Sequence, residues 1–392
     1  MDSPCITVYF RTLAFLAIIL LWGISFLNGT VKALLLAVWN GQMGEGGVAL
    51  KTDYTGFPLL DYPIALLVAF FYYGTNGYDE GYQLFLLDAY STLQSAFVWL
   101  YVETLRPGNQ PKWISRPVLF GLLWQCFGAA ISLPLYYALH LDWVSQAKIA
   151  RAVHLETARV LPLSFILGAV VPAMVGMAPT WLGPEVRSAE VHQTILAAWQ
   201  PDPLWVSWIL IGTVHVGTRF FGRSAETPDD RLKAYRWVRA SYLLAAVSSA
   251  LGHLYVVGRI VSSDNEAVNL VRMYVPFPFT GPAGTETNIF VRGPWLFLQY
   301  DLIIISLSSL SWAFLLLGQT PRGQRLSRKI LGQIILAGSL TIGPGATVSL
   351  ALFVREGQLP EHYKASKNLK AGQRTDSMDT QGGLVIEQKS LN

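Results

Sequence analysis

Charge is scarce in this sequence. Asp, Glu, Lys and Arg make up 14% of its 392 residues, where a soluble domain carries about 25%. Apolar residues reach 52% and mean hydropathy is +0.38, so a soluble globular protein is excluded and a membrane protein is expected. Cysteine is nearly absent. Cys5 lies in the N-terminal tail and Cys126 in an apolar run, with no disulfide framework and no thiolate metal spacing. The net charge of +4 is small, and Lys and Arg sit between apolar runs rather than in one basic block, so nothing points to nucleic acid.

Several catalytic signatures are absent too. There is no DDxxD or NDxxD cluster of the kind that holds magnesium diphosphate, and no DxDD motif. "PDDRLK", 228–233, has two acids but no third, within a charged loop. The six histidines form neither an HxxxH nor an HxxHH box, which disfavours a di-iron desaturase. There is no Walker loop and no GxGxxG after a strand. Chemistry without metal, nucleotide or other cofactor is expected, or no chemistry at all.

What is present is a series of apolar runs. A span needs about 20 mostly apolar residues. Nine runs qualify: 9–27, 57–74, 82–102, 117–139, 158–177, 203–221, 238–258, 295–317 and 330–354. The expected fold class is all-α, a polytopic bundle of about eight or nine transmembrane helices over residues 1–355. Residues 356–392 are polar and read as a disordered tail. The first run continues into "VKALLLAVW" without a clear cleavage site and reads as an uncleaved signal-anchor. The stretches 142–156 and 188–199 are amphipathic and suit the interface. Thirteen Trp and seventeen Tyr fit a chain that meets bilayer interfaces many times. Basic loops after the sixth and eighth runs place the N-terminus in the cytoplasm and the C-terminus in the lumen. The loop 103–116, with Arg106, Lys112 and Arg116, runs against that orientation. Asn28-Gly29-Thr30 is a glycosylation sequon, lumenal in this topology.

Polar groups inside the runs are the candidate functional residues. An intramembrane acid is a functional hypothesis by default. Asp88 lies within the third run, and Ser91, Thr92, Ser95 and Trp99 share its helical face. Such a stripe faces a cavity or the bundle interior, and Asp88 is read as functional. Glu103 is read as a surface ion pair with Arg106. The eighth run carries Gln299 and Asp301 near its start, and for Asp301 a structural and a chemical role stand equal. His215 in the sixth run, and Tyr242 and His253 in the seventh, complete the pocket candidates, although a single intramembrane His more often makes one interhelical bond. For Asp61, near the start of the second run, capping of the helix and a chemical role stand equal.

Two functions fit these residues. In the first, a protonated aspartate in a greasy pocket acts as general acid on an apolar substrate. Protonation of an epoxide or alkene gives a carbocation, aromatic faces stabilise it, and a polar group removes the last proton. In the second, a transporter or receptor uses the acids as a cation or proton site. "LTIGPGATVSL", 340–350, interrupts the ninth run as transporter helices are interrupted, but no matching half exists.

The runs "LLDAYSTLQSAFVWLYVETLRPGN" and "LQYDLIIISLSSLSWAFLL", with the spacing of the spans, resemble the integral membrane terpene cyclases of fungal meroterpenoid pathways. The likeness covers about residues 1–355 and is to the longer, ascofuranone/ascochlorin type. It implies metal-free cyclisation of an epoxidised prenyl chain on an aromatic or polyketide unit. It also implies an acid that opens the epoxide, secondary metabolism, and a place in the endoplasmic reticulum or another endomembrane. Asp88 and Asp301 are assigned as that acid on the polar-stripe argument, not on the likeness.

Overall fold

The computed structural model describes residues 3–108, 115–146, 152–221, 227–279 and 287–359, and the regular elements among them are all helices. The main ones in chain order are α1 (Pro4–Leu27), α2 (Thr30–Asn40), α3 (Pro58–Thr75), α4 (Glu80–Thr104), α5 (Pro117–Phe127), α6 (Ala129–Gln146) and α7 (Leu155–Gly176). Then follow α8 (Ala189–Trp199), α9 (Asp202–Phe221), α10 (Pro228–Ser262), α11 (Leu270–Tyr274), α12 (Ile289–Gly318), α13 (Arg328–Thr341) and α14 (344–359). Among the described residues four helices, α1, α7, α10 and α12, are both long and apolar enough to cross a membrane. Apolar side chains such as Phe15, Ile211, Leu251, Ile303 and Leu340 stand exposed on several helices, a surface that lipid tolerates and water does not.

Local signals fix the helix starts. Asp79 accepts Tyr82 N–H at the head of α4, Ser188 that of Val191 before α8, and Ser327 that of Ile330 before α13. A reciprocal capping box of Thr227 and Asp230, with Pro228 in the first turn, opens α10. Glycines set the breaks. The 117–139 run is two helices because Gly128 takes φ +102° between α5 and α6. The 330–354 run is likewise two, with Gly343 at φ +86° between α13 and α14. Helix α14 continues to 359 with Glu356 and Gln358 buried, so the packed region runs past 355. The rest of the expected tail, 360–392, and residues 147–151 of the amphipathic 142–156 stretch lie outside the described residues.

Buried apolar side chains fall into two clusters. One gathers α1, α6, α9, α10 and the far half of α12; the other gathers α2, α3, α8 and the near halves of α4 and α12. The candidate site lies on the seam between them.

A candidate active site in an apolar cavity

A cavity of about 290 Å³ opens where α1, α2, α3, α4, α5 and α12 meet. Most of its wall is apolar, and Trp22, Phe70, Phe71, Tyr90, Trp124 and Phe297 supply the aromatic part. A π-helical stretch within α1, Ile18–Gly23, carries Trp22 to the wall. Phe297 sits edge-to-face with Trp22 at 5.8 Å and with Phe70 at 5.3 Å, which presents ring faces as well as edges.

Asp301 stands in this wall. It lies four residues after Phe297 on α12, so carboxyl and ring share one helical face. The side chain is 5% exposed, and its Oδ1 accepts Ala130 N–H at 2.7 Å in the first turn of α6. That contact depends on Gly128. A Cβ there would lie 2.6 Å from Leu21 Cδ2 and 3.1 Å from Asp301 Oδ1, on a backbone that L side chains rarely adopt. Among the described residues no cation pairs with Asp301. Gly128→Ala should therefore lower stability by about 1–3 kcal/mol and displace the Asp301 carboxyl. Thermal midpoint and product yield, measured on the same purified variant, should both fall.

Asp88 is also buried, but it does not line this cavity. Its Oδ2 accepts from Tyr274 O–H at 2.6 Å, and its Oδ1 is 2.9 Å from His253 Nδ1. The serine stripe beside it packs against other helices. Ser91 Oγ donates to the Asp88 carbonyl, Ser95 Oγ to the carbonyls of Ser91 and Ala245, and Trp99 Nε1 to Ser349 Oγ on α14. A Cβ on Gly252 would lie 2.7 Å from Ser91 Cβ, and one on Gly345 2.7 Å from Thr92 Cα. Small residues let α10 and α14 approach α4 closely there. The opposite face of α4, with Leu86, Ala89, Tyr90 and Leu93, forms cavity wall.

The other candidates lie elsewhere. Gln299 donates to the carbonyls of Arg272 and Met273, and His215 is exposed on α9. Asp61 accepts Thr55 N–H and Thr55 O–H, both at 2.8 Å, tying the loop before α3 to its first turn. Asn28 Oδ1 accepts the N–H and O–H of Thr30, whose side chain is buried.

Glu103 is not a surface residue. It is fully buried and takes hydrogen bonds from Arg355 Nη1 at 2.8 Å, Arg106 Nη2 at 2.9 Å and Tyr242 O–H at 3.0 Å. His140 Nε2 lies 3.1 Å from its other oxygen. Trp312 Nε1 donates to His140 Nδ1, which fixes that nitrogen as acceptor and Nε2 as donor. Arg106 also pairs with Glu356 at 2.5 Å, so two acids and two guanidinium groups balance in charge. Arg106 is thus absent from the exposed loop where the sequence places it.

Cavity residues that sequence reasoning missed include Trp22, Tyr90, Gln125 and Phe297. The Phe297–Asp301 spacing was a usable signal; the rest come from helices that meet only in the fold.

The sequence matches the CtvD domain family over residues 6–359. It is 26% identical to terpene cyclase DEP1 of Fusarium langsethiae over 356 residues, covering 86% of this chain and 95% of that protein. Identity to terpene cyclase DEP1 of Alternaria brassicicola is 28% over 373 residues, 90% of this chain and 99% of that one. Terpene cyclase ascI of Acremonium egyptiacum is 27% identical over 319 residues, with 79% and 80% covered. No solved structure matches the chain.

Proposed function

The chain belongs to the CtvD domain family, and on that premise we propose that it is a membrane terpene cyclase in which Asp301 starts ring closure on an epoxidised prenyl chain. The observation that carries the reading is a buried acid, unpaired by any cation among the described residues, in a cavity walled by aromatic rings. The names of the similar proteins DEP1 and ascI support the reaction class. The prenyl chain would be borne by an aromatic or polyketide unit, in secondary metabolism.

The chemistry follows from the wall. The acid form of Asp301 can keep its Oδ1 bond to Ala130 while Oδ2 carries the proton. Transfer of that proton to the epoxide oxygen breaks a C–O bond as an alkene's electron pair forms a C–C bond. The cation moves along the chain against the faces of Trp22, Phe70, Phe71 and Phe297, each a favourable cation–π partner. Loss of a proton to a polar group ends the sequence, so substrate and product are isomers. No step needs an external cofactor.

The proposal includes a bundle of eight or nine spans in the endoplasmic reticulum or another endomembrane. It also includes occasional or no glycan on Asn28, because its partner Thr30 is buried against it. Microsomes containing the protein, given a farnesyl phenol epoxide and no cofactor, should yield an isomeric product by mass spectrometry and NMR. One observation favours a second reading, a transporter or receptor: the Asp88–His253 pair lies beside the α13–α14 break, where a Gly343 Cβ would meet His253 Cγ at 2.8 Å. Vesicles that accumulate unchanged substrate and never form an isomer would establish that reading instead.

A further inference from the structure

Gln125, in the last turn of α5, lines the cavity. Its Nε2 donates to Asp202 Oδ1 at 2.7 Å. Asp202 is the first residue of α9, is 3% exposed, and has no ion-pair partner among the described residues. With Nε2 engaged by Asp202 Oδ1, the other end of the amide, Oε1, is left over as an acceptor. Gln125 lines the wall between Trp124 and Cys126. Two other polar groups of the wall are already engaged, Thr30 with Asn28 and Asp301 with Ala130. Gln125 is half-buried, and the acceptor that it offers in a mostly apolar wall matches a hydroxyl of the ligand.

We infer that Gln125, oriented by Asp202, is the substrate contact that selects a hydroxyl-bearing head group, a phenol or its equivalent, on the prenyl chain. The inference rests on the reading of this cavity as the cyclisation site, and it deepens that reading. Gln125 is a direct contact; Asp202 is a positioning residue. Gln125 lies only three positions before Gly128, the break beside Asp301. Head and reactive end are therefore held near one stretch of wall, and the prenyl chain folds back between them. Holding a chain folded in this way removes much of the entropic barrier to ring closure.

The test is a binding comparison on the purified full chain in detergent, read by quenching of tryptophan fluorescence, since Trp22 and Trp124 line the cavity. The probes are an unreactive farnesyl phenol, with an alkene in place of the epoxide, and its methyl ether. The wild type should bind the phenol about 10- to 100-fold more tightly than the ether. In Gln125→Leu the ratio should collapse to about twofold or less, with ether affinity kept, which also shows that the variant is folded. Gln125→Met gives the same comparison if the leucine variant is not recovered. Asp202→Asn lets the amide turn over and should narrow the ratio. Equal binding of both probes by the wild type, or an unchanged ratio in Gln125→Leu, would overturn the inference. Failure of the cyclase reading looks different: the ratio would stand, while the epoxide probe would give no isomer.

Discussion

Asp301→Asn should nearly abolish ring closure, a loss of about 10² to 10⁴-fold in rate, while expression and membrane insertion stay intact. Asparagine keeps the size of the side chain, and its Oδ1 can still accept the Ala130 N–H. The helix contact therefore survives and only the acidic proton is removed. The substitution separates the two roles that this carboxyl can play, since a purely structural contact to α6 would leave turnover near wild type. Asp88→Asn should do less to product formation, because Asp88 bonds His253 and Tyr274 away from the cavity wall. Product is quantified from microsomes normalised to the amount of folded protein by fluorescence-detected gel filtration. Full turnover in Asp301→Asn with none in Asp88→Asn would move the acid to Asp88. Full turnover in both would end the acid-initiated mechanism at these sites.

Glu103→Gln should destabilise the protein by about 3–5 kcal/mol, the range for breaking a buried ion pair by removing one partner. Four groups converge on the Glu103 carboxylate: Arg106, Arg355, Tyr242 and His140. Neutralising it leaves two guanidinium groups facing the single charge of Glu356, and turns an amide NH₂ toward a donor. These residues belong to α4, α6, α10 and α14 or to their ends, so the loss should loosen the C-terminal helix from the bundle. The thermal midpoint in detergent should drop sharply and the monodisperse fraction shrink. Glu185→Gln, which neutralises an exposed acid whose Oε1 accepts from Tyr78 O–H, serves as control and should change little. A midpoint equal to wild type in Glu103→Gln would show that the cluster contributes no net stability.

The sequence marks Asp301 and the polar stripe on α4 as inward-facing but does not say which of them meets the cavity, for one physical reason. A 3.6-residue period identifies which side chains share a face, but a cavity wall and a helix–helix seam make the same demand on that face. Ser91, Thr92 and Ser95 satisfy it by letting Gly252 and Gly345 pack against them. Leu86, Ala89, Tyr90 and Leu93, which look like a lipid-facing strip, meet Trp22, Phe70 and Phe297 across the cavity. Local sequence makes Glu103 look exposed because it sets only Arg106, three residues on, beside it. Arg355 lies 252 positions away in sequence and 2.8 Å away in space.

By itself, then, the sequence determined the class of fold and its punctuation. Scarce charge and long apolar runs make the chain a bundle of apolar helices, four of them among the described residues long and apolar enough to cross a membrane, where lipid would offer no partner to an unbonded backbone. Asp79, Ser188, Thr227 and Ser327 mark helix starts through bonds that span three residues, a distance that local sequence contains. The tertiary structure alone decided which buried polar groups are partnered and which face a cavity. Asp88 finds His253 165 residues away, Glu103 finds Arg355, and Gln125 finds Asp202. Asp301 finds backbone N–H groups at the start of α6 and an aromatic wall. A buried polar group must be satisfied somewhere, but its partner is set by which helices touch, and that is a property of the packed bundle.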